Sequence, residues 1–267
     1  MMRRKQITMS QLVIKNTLLS VMVLAVTSAC VTTKDRTGTF LKLNDDQGKI
    51  ETSAAMYSGI EPLRIQFSDT REIEEYALYR GPNGQSEILF VETTPFNAHN
   101  TALDFDKLIA VSANMWRFNQ GQNLVFGESV SVKTDITMFW AQPYKQSASG
   151  RHCVGFSSQW DTCDEDPQFR PSKIMFGYHC SPKGQSFSAK DGIDFVKSID
   201  IRGISVPGNI RSAYDLQKNG APTPTRELQI SNLVLAQDGG GGVVGLPDFP
   251  LLIARTFNDF DGPCTGC

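Results

Sequence analysis

The centre of the chain alternates apolar and polar residues in short runs, which predicts β-strands. Residues 62–67, PLRIQF, have the period of two expected of a strand with one face on a core. Residues 75–80 and 86–92 flank the GPNGQ cluster at 81–85, and this pattern predicts a hairpin with a five-residue loop. Further strands are predicted at residues 129–141, 151–157, 173–180 and 225–236.

Two stretches change to the helical period. Residues 104–118 place Phe105, Ile109 and Trp116 on one face, with Asp104 at the N-cap position. The SAKD sequence that begins at Ser188 is typical of a capping box with Asp in place of Glu. It predicts a short helix that soon continues as extended chain.

The order of these elements predicts the fold class. Because strands come in runs and do not alternate with helices, we expect an α+β fold. Its core is an antiparallel-dominated sheet with one or two short helices, in a single globular domain at residues 45–236. Residues 30–44 are polar and are interpreted as a tether, and residues 237–267 as an irregular Gly/Pro-rich tail. The apolar residues of that tail either pack on the domain or dock on a partner, and packing is favoured because exposed apolar runs are rare.

The N-terminus has the pattern of a secretory signal. Arg3, Arg4 and Lys5 precede an uncharged run at 17–29, TLLSVMVLAVTSA, that ends in small residues. A helix that crosses a bilayer needs roughly 20 apolar residues, so this run is too short for a permanent span. Residues 1–29 are therefore predicted to be a signal peptide.

The run ends in VTSAC at residues 26–30, which resembles the lipobox of bacterial lipoproteins, with Thr27 where Leu is commonest. The resemblance covers the leader alone. It implies cleavage before Cys30, acylation of Cys30 by palmitate-like chains, and a lipid anchor in the cell envelope. Each buried CH₂ contributes about 0.8 kcal/mol, and one chain alone binds only marginally, so several chains fit a stable anchor. Val31 follows where Asp would favour the inner membrane, which implies the periplasmic face of the outer membrane in a Gram-negative cell.

The charge of the chain argues against nucleic acid as a partner. Four of the 26 Lys and Arg residues and none of the 28 Asp and Glu residues lie in the leader, so the remainder has a formal charge of −6. An acidic surface does not attract phosphate backbones over long distances. The expected partners are the membrane, through the lipid anchor, and an envelope protein.

The cysteines and histidines are the most informative residues of the domain. If Cys30 carries lipid, five cysteines remain: Cys153, Cys163, Cys180, Cys264 and Cys267. Antiparallel pairing with Cys153 opposite Cys180 places these two on one face and both His152 and His179 on the other. That register favours a disulfide in an oxidising compartment over zinc, whose ligands must converge within about 2.0–2.3 Å of the metal. Cys163 in place of Cys153 is an alternative partner of Cys180.

No motif in the chain predicts catalysis. G-x-S-x-G and H-E-x-x-H are both absent. The nearest arrangement to a triad combines Ser157 or Ser158 with His152 and Asp161. The favoured interpretation is a non-catalytic lipoprotein that binds or scaffolds other envelope components, with no cofactor or metal. The alternatives are an envelope hydrolase near His152 and His179, and a Cys/His metal or thiol-redox protein.

Overall fold

The computed structural model describes residues 38–69, 72–93, 105–162, 171–204, 245–246 and 249–251. The strands are β1 Thr39–Leu43, β2 Ile50–Thr52, β3 Leu63–Ser68, β4 Glu72–Gly81, β5 Gly84–Thr93, β6 Leu124–Phe126, β7 Val130–Lys133, β8 Met138–Gln146, β9 His152–Thr162, β10 Pro171–Cys180 and β11 Ile199–Ile201. The helices are α1 Phe105–Met115 and α2 Ala189–Lys197, with 3₁₀ turns at Ala55–Tyr57 and Arg117–Asn119.

Nine of the described strands form one antiparallel sheet in the order β1-β3-β4-β5-β10-β9-β8-β6, and β7 pairs with β8 beside β6. β2 and β11 form a separate antiparallel ribbon. Each central strand is hydrogen-bonded on both sides, so the described sheet has its edges at β1 and at β6 and β7. The sheet-dominated, antiparallel architecture with two short helices in a single globular domain agrees with the prediction from sequence.

Both faces of the sheet are covered, each by one helix and additional chain. The α1 face holds Tyr76, Leu89 and Phe176, and packs against Trp116 and the segment around Phe249. The α2 face packs against helix α2 and the β2–β11 ribbon, with side chains such as Phe156 and Phe195 between the layers. Gly155 permits α1 to approach closely, because a Cβ atom there would lie 2.8 Å from Cγ2 of Ile109. Burial on both faces explains why the central strands carry long apolar runs.

A buried ion pair attaches the ribbon to the α2 face. The Arg64 guanidinium lies 3.3 Å from Oε1 of Glu75 and donates to the carbonyl oxygen of Ile50. The Glu75 carboxylate accepts hydrogen bonds from the backbone N–H groups of Lys49 and Ile50 at 2.8 and 3.0 Å. Arg64 of β3 and Glu75 of β4 are thereby hydrogen-bonded to the backbone at the start of β2.

The predicted capping box starts helix α2. The Ser188 side chain accepts from the backbone N–H of Asp191 at 3.2 Å, and the Asp191 carboxylate accepts from the N–H of Ser188 at 2.7 Å. The chain then continues into β11, as predicted. Helix α1 lies within the predicted 104–118, although Asp104 is outside the described residues.

Several boundaries differ from the prediction. The β4–β5 hairpin has a two-residue turn, because Gly81 pairs directly with Gly84 and both strands are longer than expected. The predicted strand at 129–141 is two strands, β7 and the start of β8, joined by a turn in which Thr134 bonds to Thr137. Strand β1 lies inside the predicted 30–44 tether, so the sheet begins earlier than predicted. The predicted strand at 225–236 lies outside the described residues.

Part of the predicted tail packs on the domain. Leu246, Phe249 and Leu251 are buried on the α1 face. The backbone N–H of Leu251 donates to the carboxylate of Glu74 at 2.7 Å. The alternative in which these apolar residues are exposed for a partner is thus wrong for this part of the tail.

Candidate functional site

Cys153 and Cys180 form a disulfide between β9 and β10. They are Cα partners in the ladder, and His179 is paired with Val154, as the predicted register requires. Both cysteines are buried on the α1 face. In the disulfide, neither sulfur is a thiolate that could ligate a metal. Cys163, Cys264 and Cys267 lie outside the described residues, and so does Cys30.

The two histidines share the α2 face but lie in different environments. His152 is exposed at the start of β9. His179 is buried, and its Nδ1 lies 2.8 Å from the hydroxyl of Tyr57 and 3.0 Å from Oγ of Ser86. Its Nε2 has no hydrogen-bond partner among the described residues. Burial lowers the pKa of His179 from 6.5 to about 4, because the imidazolium would be poorly solvated there.

The Ser86–His179 pair is enclosed. Ser86 is fully buried, and the rings of Phe187 and Phe195 each lie 4.9 Å from the His179 ring. Tyr57 closes a third side, with its hydroxyl 2.7 Å from Ser86. A Ser–His hydrogen bond resembles part of a nucleophilic dyad, but a substrate carbonyl needs access to the serine oxygen. The cluster is better explained as a hydrogen-bonded polar group that is buried in the core.

The triad considered from sequence is not assembled. Ser157 and Ser158 are fully buried in β9, and Ser158 donates to the carbonyl oxygen of Met138 at 2.7 Å. His152 lies on the same extended strand, so the rise per residue separates it from Ser157 by roughly 17 Å. That distance excludes a hydrogen bond between them. Among the described residues, no three His, Cys, Asp or Glu side chains are grouped as metal ligands.

A buried carboxylate, Glu87, occupies the α1 face. It accepts hydrogen bonds from the hydroxyl of Tyr76 at 2.6 Å, from Nε2 of Gln85 at 2.9 Å, and from the hydroxyl of Tyr178. Burial and the Glu87 carboxylate raise the pKa values of Tyr76 and Tyr178, so both phenols remain protonated donors. Gly245 covers the group so closely that a Cβ atom there would lie 1.5 Å from Oε2 of Glu87. The Glu87 carboxylate is therefore enclosed within the fold, where it accepts hydrogen bonds from the side chains around it.

An open concavity of about 320 Å³ lies on the α2 face and is here called the α2 groove. Its floor is formed by the neighbouring strands β8 and β9, with Ala141, Pro143 and Val154. One wall is the start of helix α2, and the other is the edge formed by β6 and β7. Its apolar lining includes Val125 and Val130, which are 55% and 37% exposed. Large apolar side chains exposed beside one cavity indicate a contact surface.

A second concavity of about 590 Å³ is more polar. Asp45, Glu51 and Asp200 line it, with Arg64 among them. Arg64 is already paired with Asp45 at 3.0 Å and with Glu75. The Arg64 guanidinium is therefore already paired with carboxylates of the fold. This makes the second concavity a weaker candidate for ligand binding than the α2 groove.

No family model matches this chain, and neither a curated protein nor a solved structure matches it. Within the described residues, no helix is long and apolar enough to cross a membrane. A function can therefore be proposed only from the chemistry of the chain's own residues.

Sequence reasoning missed the α2 groove and both buried polar clusters. A signal for Glu87 was present, because SEILFVE places acids at both ends of the apolar run ILFV, and an acid that is buried with such a run needs hydrogen-bond donors. The groove had no such signal. Its walls come from residues near 125–130 and near 187–193, which only the packing of α2 on the sheet brings together.

Proposed function

We propose that this chain is a cell-envelope lipoprotein, anchored by lipid on Cys30, whose α+β domain is a non-catalytic binding or scaffolding module. The main support is the contrast between an open apolar groove and an enclosed Ser86–His179 pair. A binding protein needs an accessible surface, whereas a hydrolase needs an accessible nucleophile. The Cys153–Cys180 disulfide is compatible with an oxidising compartment, where such bonds persist.

The anchor is tested with Cys30→Ser in a bacterial host. We expect the wild-type chain to incorporate labelled palmitate and to sediment with membranes. The variant should incorporate no label and should remain an unprocessed or soluble precursor. A variant that stays membrane-bound at the wild-type level contradicts the anchor.

The binding role is tested by crosslinking in intact cells, followed by purification of the lipidated chain. We expect the same envelope component to be recovered repeatedly, and its yield to fall when Val125 on the groove wall is replaced by Glu. Leu41→Glu, a matched change of an exposed apolar residue on β1, should leave the yield unchanged. Equal loss from both variants would remove the groove from the proposal.

An envelope hydrolase is the second candidate, because Ser86 and His179 share a hydrogen bond of 3.0 Å. A fluorophosphonate probe attacks an activated serine and would label Ser86 if the cluster opens. We expect the probe not to label Ser86 in the folded chain. The Ser86→Ala variant should therefore give the same labelling as the wild type. Labelling that depends on both Ser86 and His179 would replace the binding proposal with the hydrolase.

A further inference from the structure

The α2 groove changes from polar to apolar along the direction of its floor. Val125, Lys145 and His152 are Cα partners in one row across β6, β8 and β9. The next row on the same face contains Pro143 and Val154, and the third contains Val130 and Ala141. Four residues of extended chain separate the first and third rows, a distance of roughly 13 Å. Lys145 and His152, here called the polar row, lie beside Val125 at one end of the groove. A ligand lying along β8 would thus contact these two polar residues at one end and apolar side chains over the rest of its length.

Lys145 makes the polar row cationic, and this row has no ion-pair partner among the described residues. Lys145 makes no ion pair or side-chain hydrogen bond with any described residue, and the His152 side chain makes none either. Of the described residues that line the groove, Glu128 alone carries a carboxylate. It follows Gly127 on the edge connection between β6 and β7 and does not pair with Lys145. The Lys145 ammonium group lies beside the apolar part of the α2 groove. This arrangement is complementary to a ligand with an anionic head group and an apolar tail.

The apolar part of the groove is shaped by close packing of helix α2. Gly192 lies against β9, because a Cβ atom there would be 3.0 Å from Cβ of Val154. Phe187 and Ile193 flank this contact and complete the wall. The volume of about 320 Å³ is at the lower end of the range for small-molecule sites, roughly 300–1,000 Å³. This volume suits one alkyl chain.

We propose that the α2 groove binds a single-chain anionic amphiphile, with its head at Lys145 and His152 and its alkyl chain over Pro143 towards Ala141. This inference deepens the proposed binding function and rests on it for its setting beside a membrane. The gain comes from covering exposed apolar surface, including Val125 and Val130, and the head group sets the orientation.

The test uses the full chain carrying Cys30→Ser, so that no acyl chain of its own competes for the groove. Dodecanoate is titrated below its micellar concentration and followed by calorimetry at low salt. Two probes serve as matched ligands: acetate has the head without the tail, and dodecyltrimethylammonium has the tail with the opposite charge. We expect saturable one-to-one binding of dodecanoate, no detectable binding of acetate, and binding of the cationic probe at least fivefold weaker.

Three variants of exposed residues locate the site. Lys145→Glu should weaken dodecanoate binding about five- to tenfold and strengthen binding of the cationic probe. Val130→Asp places a carboxylate in the apolar row. It should weaken binding of both dodecanoate and dodecyltrimethylammonium at least tenfold. Lys133→Glu is the control, since Lys133 follows the buried Val132 on β7 and lies on the opposite face. It should bind dodecanoate as the parent does.

The proposal is overturned if dodecanoate does not bind, or if it binds equally well to the Lys145→Glu and Val130→Asp variants. It is also overturned if Lys133→Glu weakens binding as much as Lys145→Glu does. These outcomes are separate from failure of the proposed function. Palmitate labelling of Cys30 and recovery of an envelope partner can succeed while the amphiphile test fails. Dodecanoate can also bind the groove while the labelling and the recovery fail.

Discussion

Acid should destabilise this domain through the buried side chain of His179. His179 is 1% exposed, and burial lowers its pKa from 6.5 to about 4. The unfolded chain therefore binds a proton near pH 6.5, whereas the folded chain does not until about pH 4. The stability contributed by neutral His179 is therefore fully present above about pH 6.5, and it is lost progressively as the pH falls from 6.5 to the folded-state pKa of about 4.

The size of this effect follows from the pKa difference. Each pKa unit corresponds to 1.36 kcal/mol, so the difference between 6.5 and about 4 amounts to about 3 kcal/mol. About 2 kcal/mol of this should already be lost at pH 5. Typical domains unfold with a free energy of roughly 5–15 kcal/mol, so the loss is a substantial fraction of the total.

The assay is urea unfolding of the wild type, His179→Asn and His152→Asn between pH 7.5 and pH 4. Asn retains an acceptor for Tyr57 and Ser86 but does not titrate, so His179→Asn should be less stable at pH 7.5 and should lose less stability on acidification. The difference in loss between wild type and His179→Asn should approach 2 kcal/mol at pH 5. His152→Asn, a change of the exposed histidine, should follow the wild-type curve. Parallel curves for wild type and His179→Asn would refute the reasoning.

Two further changes test what holds the sheet together. Replacing both Cys153 and Cys180 by Ala should lower the free energy of unfolding by about 3–4 kcal/mol, because the bond closes a loop with a sequence separation of 27 residues; urea unfolding of the oxidised wild type and the variant measures this. A loss well below 1 kcal/mol would contradict the disulfide. Arg64→Leu should cost about 3–5 kcal/mol in the same assay, since it leaves the Glu75 carboxylate buried without its cation. Lys190→Leu, which breaks only an exposed pair that solvent screens, should leave the unfolding curve nearly unchanged, and equal costs for both variants would count against the buried pair.

The sequence alone determined the features that depend on local pattern. Alternation along 62–67 and 173–180 identified two strands, because side chains on extended backbone alternate between faces wherever the strand lies. For a register with Cys153 opposite Cys180, the same rule placed the two cysteines on one face and the two histidines on the other. The capping box at Ser188 could be predicted from the sequence because its hydrogen bonds join residues that are three positions apart.

Only the tertiary structure decided which of these residues is buried and which is accessible. His152 and His179 are equivalent by alternation, yet helix α2 and Phe187 enclose one and leave the other exposed. The α2 groove likewise depends on contacts between chain segments about 60 residues apart, and local periodicity carries no information about such contacts. The segment of strand β1 was interpreted as tether because residues 30–44 are polar, and its pairing with β3 depends on a neighbour more than 20 residues away in sequence. Long-range packing sets burial, and burial sets the chemistry of each polar group.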